Sequence, residues 1–330
     1  MIYANVIIVG GGPAGSSCAS ELKKYGFDCL ILDKQEFPRN KLCAGWIQQD
    51  VLDMVGVCEQ DYPYSISEFH LFNVHLGSRL IELKMKQYAI RRAEFDDWLL
   101  YRANVRVKYH KVKKIRKDGD YYIVDDQYYC NFLVGAGGTR CPVYKTFFKE
   151  LTPRKPELMI QTMADEIYTG NEGGECHLWF FQNKFPGYLW FVPKKDGFVN
   201  AGLGGFNKKL KKKGIDLKHQ WNWLMDELDQ LGLADNKNFN PRGHYYFLQH
   251  NADKIQHERA YITGDAASLA TRDLGEGIGP AIKSGFLAAE AIANGHELSY
   301  DSIRKYSLPK LKLVKEMTNA YLFNQAADLT

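Results

Sequence analysis

Gly10, Gly12 and Gly15 stand in the spacing G-x-G-x-x-G. The first glycine permits a tight turn, the second lets backbone approach a pyrophosphate, and the third lets a helix pack closely on a strand. An acid, Asp33, follows near the end of the next apolar run. An acid about 20 residues beyond such a turn accepts both hydroxyls of an adenosine ribose, and its charge repels a 2′-phosphate. Far along the chain lies a second cluster, Gly264-Asp265-Ala-Ala267 followed by Gly275-Glu276-Gly277-Ile278-Gly279. Asp265 can accept a hydrogen bond from a sugar-alcohol hydroxyl, and these glycines can bring backbone against a flat ring.

The elements that must position these residues are readable around them. Val6-Ile-Ile-Val9 is a continuous apolar run, as in a parallel strand buried on both faces. A helix is predicted from Pro13 to Tyr25, with Pro13 suited to its first turn and Gly26 as its stop. Cys29-Leu-Ile-Leu32 is the second strand and delivers Asp33 at its end. Ala260 to Thr263 reads as a strand before the second cluster, and a helix is predicted from Pro280 to Ala293. The positive end of that helix would face whatever the cluster binds. A nicotinamide coenzyme needs no second half-site. A flavin does, because its ribityl chain and ring must be clamped far from the adenosine. The two clusters together therefore point to FAD.

Composition removes several other classes. Of 330 residues, 45% are hydrophobic and 25% charged, which is globular rather than disordered. A net charge of +4 is too small to argue for nucleic acid. The one dense basic run, Lys208, Lys209, Lys211, Lys212 and Lys213, is either a solvated face or a peripheral membrane contact. Seven scattered cysteines without C-x-x-C spacing suit a reducing compartment, and nine histidines show no ligand spacing, so no metal is expected. The amino terminus runs almost directly into a strand, and no apolar stretch approaches the ~18 residues a bilayer requires. A cytoplasmic protein, at most peripheral to a membrane, is expected.

Five landmarks in order carry a resemblance. They are Val9-Gly-Gly-Gly-Pro-Ala-Gly15, Pro38-Arg-Asn-Lys-Leu-Cys-Ala-Gly45, Arg92-Ala-Glu-Phe-Asp96, Pro186-Gly-Tyr-Leu-Trp-Phe-Val-Pro193, and Gly264-Asp265 through Gly279. The middle three resemble the K-x-C-G-G, R-x-x-F-D and Y-x-W-x-F-P segments of the geranylgeranyl reductase family of FAD proteins. That family lies within the fold group of aromatic hydroxylases, and the resemblance covers nearly the whole chain. It implies that Gly10, Gly12, Ala14 and Gly15 hold the pyrophosphate and Asp33 the ribose. It further implies that Cys43 and Ala44 lie against the flavin, that Arg92 reaches its phosphates or ribityl chain, and that the strand around Val112 meets adenine through backbone. Asp265, Gly277 and Ile278 would complete the flavin site. Tyr188, Trp190 and Pro193 would line a substrate cavity, although Tyr188, Trp190 and Val192 also alternate as a plain core face would. Tyr188 and Cys43 are the candidate catalytic groups.

The implied fold is α/β, a Rossmann-like FAD-binding domain with an inserted, mostly antiparallel β-sheet substrate domain of the aromatic-hydroxylase-like kind. The FAD domain is expected over 1–66, 93–150 and 252–300, the substrate domain over 67–92 and 151–251, and a helical segment over 301–330. The implied reaction reduces carbon–carbon double bonds of a prenyl or other hydrophobic substrate, such as an isoprenoid lipid, by hydride transfer from flavin N5. A flavin monooxygenase, a halogenase-like enzyme or an electron carrier remains the alternative. Two departures stand out: Gly135-Ala-Gly-Gly138 lacks the acid of the group's G-A-D-G segment, and Ala44 replaces a glycine. The electron donor, NAD(P)H or a redox protein, stays open.

Overall fold

The computed structural model describes residues 1–77, 79–170, 174–234, 239–250 and 254–307. Its elements in chain order begin β1 (Ile2–Val9), α1 (Pro13–Lys24), β2 (Cys29–Asp33), β3 (Trp46–Ile47), α2 (Gln49–Met54), β4 (Ile66–Leu76) and β5 (Arg79–Ile90). Then come α3 (Arg92–Ala103), β6 (Arg106–Tyr109), β7 (Ile115–Asp118), β8 (Tyr121–Val124), β9 (Tyr128–Gly135) and β10 (Met159–Tyr168). The remainder are β11 (Cys176–Phe180), β12 (Gly187–Pro193), β13 (Phe198–Phe206), α4 (Asn207–Lys213), α5 (Leu217–Gln230), β14 (Arg242–Phe247), β15 (Gln256–His257), β16 (Ala260–Ile262) and α6 (Ile278–Asn294).

The chain forms two compact units. The first comprises Met1–Arg39, Ala93–Lys155 and Phe247–Ser307. Its sheet runs β15-β16-β9-β1-β2-β6, and every neighbouring pair from β16 to β6 is parallel. Apolar runs make this possible: Val6 to Val9, Leu30 to Leu32 and Leu133 to Val134 are all buried, as a sheet covered on both faces requires. The first strand is longer than its apolar run, because Ile2 and Tyr3 pair with Tyr128 and Tyr129 of β9. One edge of β9 is shared: Tyr128 to Cys130 pair with β8, and Leu133 to Gly135 with β16. Helix α6 packs on α1 through Gly285, where a Cβ would lie only 2.3 Å from the Ala14 carbonyl oxygen.

The second unit includes Asn40–Arg92 and Pro156–Tyr246. Its sheet runs β14-β10-β13-β12-β11-β4-β5-β3, and from β10 to β3 every neighbouring pair is antiparallel except β11 on β4. Alternation gives the sheet two different faces. Leu189, Phe191, Val199, Ala201 and Leu203 pack with Leu217, Trp221, Leu224, Met225 and Leu228 of α5. The α5 residues recur at helical spacing, and Asp216 caps the helix by accepting the Lys218 N–H at 3.0 Å. The opposite face carries Tyr188 and Trp190.

Of the expected carboxyl-terminal helical segment, residues 308–330 lie outside the described residues, and 301–307 form turns. No described helix is long and apolar enough to cross a membrane.

Candidate active site

The glycine turn and the acid beyond it form one structure. Gly11 N–H donates to Asp33 Oδ2 at 2.7 Å and Gln35 N–H to Oδ1 at 2.9 Å, and the carboxylate is 8% exposed. Each oxygen keeps a further lone pair. Gly10 takes φ +112°, where a side chain would be strained, and a Cβ there would lie 2.4 Å from the Ala136 carbonyl oxygen. At Gly15 a Cβ would come within 1.9 Å of Gly10 O, which is the close strand–helix approach the third glycine exists to allow. Gly12 precedes helix α1 without a side-chain cap, so the helix's first N–H groups are left for an anion. Arg39 stands beside this turn, 3.2 Å from where a Gly12 Cβ would be, and pairs with the fully buried Asp96 at 3.2 Å.

The second cluster meets the first. A Cβ on Gly264 would lie 3.1 Å from Ala14 Cβ and 3.4 Å from Ala281 Cβ. Gly264 N–H donates to Ser284 Oγ at 2.9 Å. Helix α6 starts at Ile278, two residues before the predicted Pro280, and Gly277 precedes it without a side-chain cap. Pro280 is tolerated there because its missing N–H belongs to a first turn that has no internal acceptor. A Cβ added at Gly277 would make only an ordinary contact, 3.5 Å from Asp265 Oδ1. Two uncapped helix starts, a buried acid and a turn that only glycine can form fit a dinucleotide flavin.

Arg154 was not singled out by the sequence. Its guanidinium donates to Thr139 O, to Ala266 O at 3.1 Å and to Asp265 O at 3.3 Å, and lies 3.9 Å from the Tyr144 ring centre. It ties the turn after β9 to the Asp265 turn. Nothing local marks it, since its partners are 15 and about 110 residues away.

Val112 is half-buried against the core of the first unit, but it is not in a strand. Asp125 accepts the Lys113 and Lys114 N–H groups and holds His110 at 2.7 Å, which keeps 110–114 out of sheet pairing. His110 N–H donates instead to Asp33 O at 2.6 Å.

In the second unit, Cys43 and Ala44 are half-buried, and Gly45 N–H lies 3.3 Å from Cys43 Sγ. Arg92 is buried at the start of α3. Tyr188 and Trp190 share a strand face, with ring centres 5.6 Å apart, and Tyr188 stacks on Phe180 at 5.4 Å. Trp190 donates Nε1–H to Asn200 Oδ1 at 2.8 Å and lies flat over Gly202, where a Cβ would be 2.2 Å from its ring. Register adds Leu178, Val74 and Phe72 to the same face. Pro193 is buried with the parity of Leu189 and Phe191, so it falls on the helix-covered side. The residue after it, Lys194, escaped the sequence reading although it adjoins a quoted motif; it is 1% exposed. Among the described residues, no group of three or more His, Cys, Asp or Glu side chains could hold a metal ion.

Comparison with known proteins agrees with this geometry. The FAD binding domain family matches residues 3–88. An uncharacterized protein of Methanosarcina barkeri is 30% identical over 311 residues, covering 88% of this chain and 74% of that protein. Digeranylgeranylglycerophospholipid reductase 3 of Methanosphaera stadtmanae is 26% identical, covering 92% and 81%. Among solved structures, a geranylgeranyl bacteriochlorophyll reductase-like protein of Thermoplasma acidophilum shares the fold, with a TM-score of 0.76 at 21% identity over 100% of this chain and 87% of that one.

A parallel sheet carrying two converging nucleotide turns, with a large antiparallel sheet elsewhere in the chain, defines an FAD-dependent oxidoreductase of the aromatic-hydroxylase-like fold. Within that class, the chain belongs to the geranylgeranyl reductase family.

Proposed function

We propose that this protein reduces carbon–carbon double bonds of a prenyl or other hydrophobic chain. The observation that carries the reading is the apolar sheet face of Tyr188, Trp190, Phe180, Leu178, Val74 and Phe72, which offers flat rings and few hydrogen-bonding groups. A face of this kind suits an extended hydrocarbon. The naming of the Methanosphaera stadtmanae relative for an unsaturated lipid supports the same substrate class.

FAD, when bound, supplies the hydride at its N5. Gly10, Gly12, Ala14 and Gly15 would receive its pyrophosphate, with Asp33 on the adenosine ribose and the backbone at Val112 on adenine. Asp265, Gly277 and Ile278 would hold the ribityl and ring end, Cys43 and Ala44 would lie against the ring, and Arg92 would reach phosphate or ribityl oxygens. Tyr188 and Trp190 orient the chain, with Pro193 closing the strand end. Trp190 is locked by Asn200 and Gly202, so its ring is a fixed wall. The Tyr188 hydroxyl and the Cys43 thiol are the two groups assigned to proton delivery. The electron donor is NAD(P)H or a redox protein, and the absence of an acid in Gly135-Ala-Gly-Gly138 favours the latter. The exposed lysines 208, 211, 212 and 213 suit contact with an anionic membrane surface, which co-sedimentation with anionic vesicles would test.

The direct test is anaerobic single turnover of dithionite-reduced protein with a prenylated glycerolipid, read by mass spectrometry. Saturated product, slowed in Tyr188→Phe, is expected. Oxygen or halide incorporated into substrate in air, with no saturated product, would overturn the reading.

A further inference from the structure

Lys194 lies at the end of the strand face that carries Tyr188 and Trp190, and it is buried. Its Nζ donates to Ala44 O at 2.6 Å and to Ile90 O at 2.6 Å, and it lies 3.4 Å from Glu166 Oε2. An ammonium has three N–H donors, and these three acceptors use all of them. The chain has closed around this cation: Gly45 adopts φ +68°, and a Cβ there would sit 2.3 Å from Nζ and 2.1 Å from Ile90 O. Ile90 N–H returns to Gly45 O at 2.9 Å. A methionine would fill the same volume, so packing alone gives no reason to bury a charge here. Convergence of two main-chain carbonyls and a carboxylate on one cation does give a reason.

We propose that Lys194 is a positioning residue: its ammonium, balanced by Glu166, fixes the Cys43–Ala44–Gly45 turn in register with the strand bearing Tyr188 and Trp190. The inference rests on the assignment of that turn to the flavin under Proposed function. The charged or titratable groups facing Lys194 are Glu166 from β10, Cys43 from the turn and Arg92 from α3. Arg91, which donates to Glu166 at 3.1 Å, braces the counter-ion. Burial, the largest influence, pulls the Lys194 pKa below its usual value, and Glu166 opposes it. The clamp therefore opens at alkaline pH, and it opens earlier if Glu166 loses its charge.

Amide hydrogen exchange on the full-length protein, flavin-free and FAD-loaded, tests this. In Lys194→Met the protection of the Ile90 N–H falls about tenfold or more at neutral pH, and the FAD dissociation constant rises about tenfold. In Glu166→Gln that protection is lost at a lower pH than in wild type. Unchanged Ile90 protection in Lys194→Met overturns the proposal, as does a loosened turn with unchanged FAD affinity. Should Lys194→Met fail to fold, as judged by circular dichroism, the pH displacement in Glu166→Gln decides alone, and no displacement overturns it. Wild-type protein that binds FAD yet reduces no prenyl chain sinks the proposed function while leaving these exchange measurements to judge the clamp.

Discussion

The Gly11 N–H and the Asp33 carboxylate are joined by a 2.7 Å hydrogen bond across 22 residues, so the glycine turn and the ribose acid are set by one contact. Replacing Asp33 by alanine removes both the acceptor for Gly11 and the ribose partner. Losing a charge-assisted hydrogen bond to a ligand costs about 1.5–3 kcal/mol, which corresponds to roughly 10- to 150-fold in affinity. Flavin fluorescence titration should show that loss in Asp33→Ala, and a smaller one in Asp33→Asn, which keeps one acceptor oxygen.

The α1–α6 packing depends on Gly285, whose added Cβ would lie 2.3 Å from Ala14 O and 2.9 Å from the Cys18 nitrogen. Both are main-chain atoms and cannot swing away. Gly285→Ala should therefore lower stability by about 1–3 kcal/mol and weaken FAD binding with it, since Ala14 and Gly264 touch at the same place. Gly243→Ala, where the nearest atom would be 3.8 Å away, is the control and should stay within about 0.5 kcal/mol in urea unfolding.

What the sequence made legible was local. Gly10 to Asp33 could be read because one strand, one turn and one helix lie within a single stretch, and each leaves a periodic or glycine-spaced trace. Tyr188 and Trp190 alternate visibly for the same reason. The start of α6 was misjudged by two residues because Pro280 looks like a first helical residue, whereas Gly277 supplies the turn. The stretch around Val112 looks like a strand until Asp125 is known to claim its amides. Lys194 and Arg154 were illegible on different grounds. The carbonyls that Arg154 joins, and two of the three acceptors around Lys194, are main-chain groups with no residue type to recognise, and those two lie 150 and 104 residues from Lys194.

Arg154 gives a prediction of its own. Arg154→Met leaves the Thr139, Asp265 and Ala266 carbonyls without this donor while keeping much of the packing on Tyr144. The Asp265 turn should loosen, and FAD affinity should fall about tenfold, near 1.4 kcal/mol. Arg154→Lys should recover only part of it, because a point charge cannot span two separate turns as the planar fork does. Full recovery by lysine would show that charge alone matters here.

The last prediction concerns acid stability. On the α5-covered face of the second sheet, His75, His177 and Trp179 stack, with the two histidines joined at 3.0 Å between Nε2 and Nδ1. Burial, and then the neighbouring His75, hold the His177 pKa down at about 4 against an ordinary 6.5, and burial lowers His75 as well. Both rings are thus neutral in the folded protein, while the unfolded chain takes up protons below about pH 6.5. Their contribution is fully present above that pH and is lost as the pH falls towards about 4. Glu175 and Glu227 act in the opposite direction and soften the effect. Once solvent screening is allowed for, the loss should be about 2 kcal/mol. Urea unfolding on either side of this window should show the drop in wild type, and His177→Phe, which stays neutral and keeps a ring on Trp179, should flatten it; an equal drop in that variant would assign the acid sensitivity to other groups.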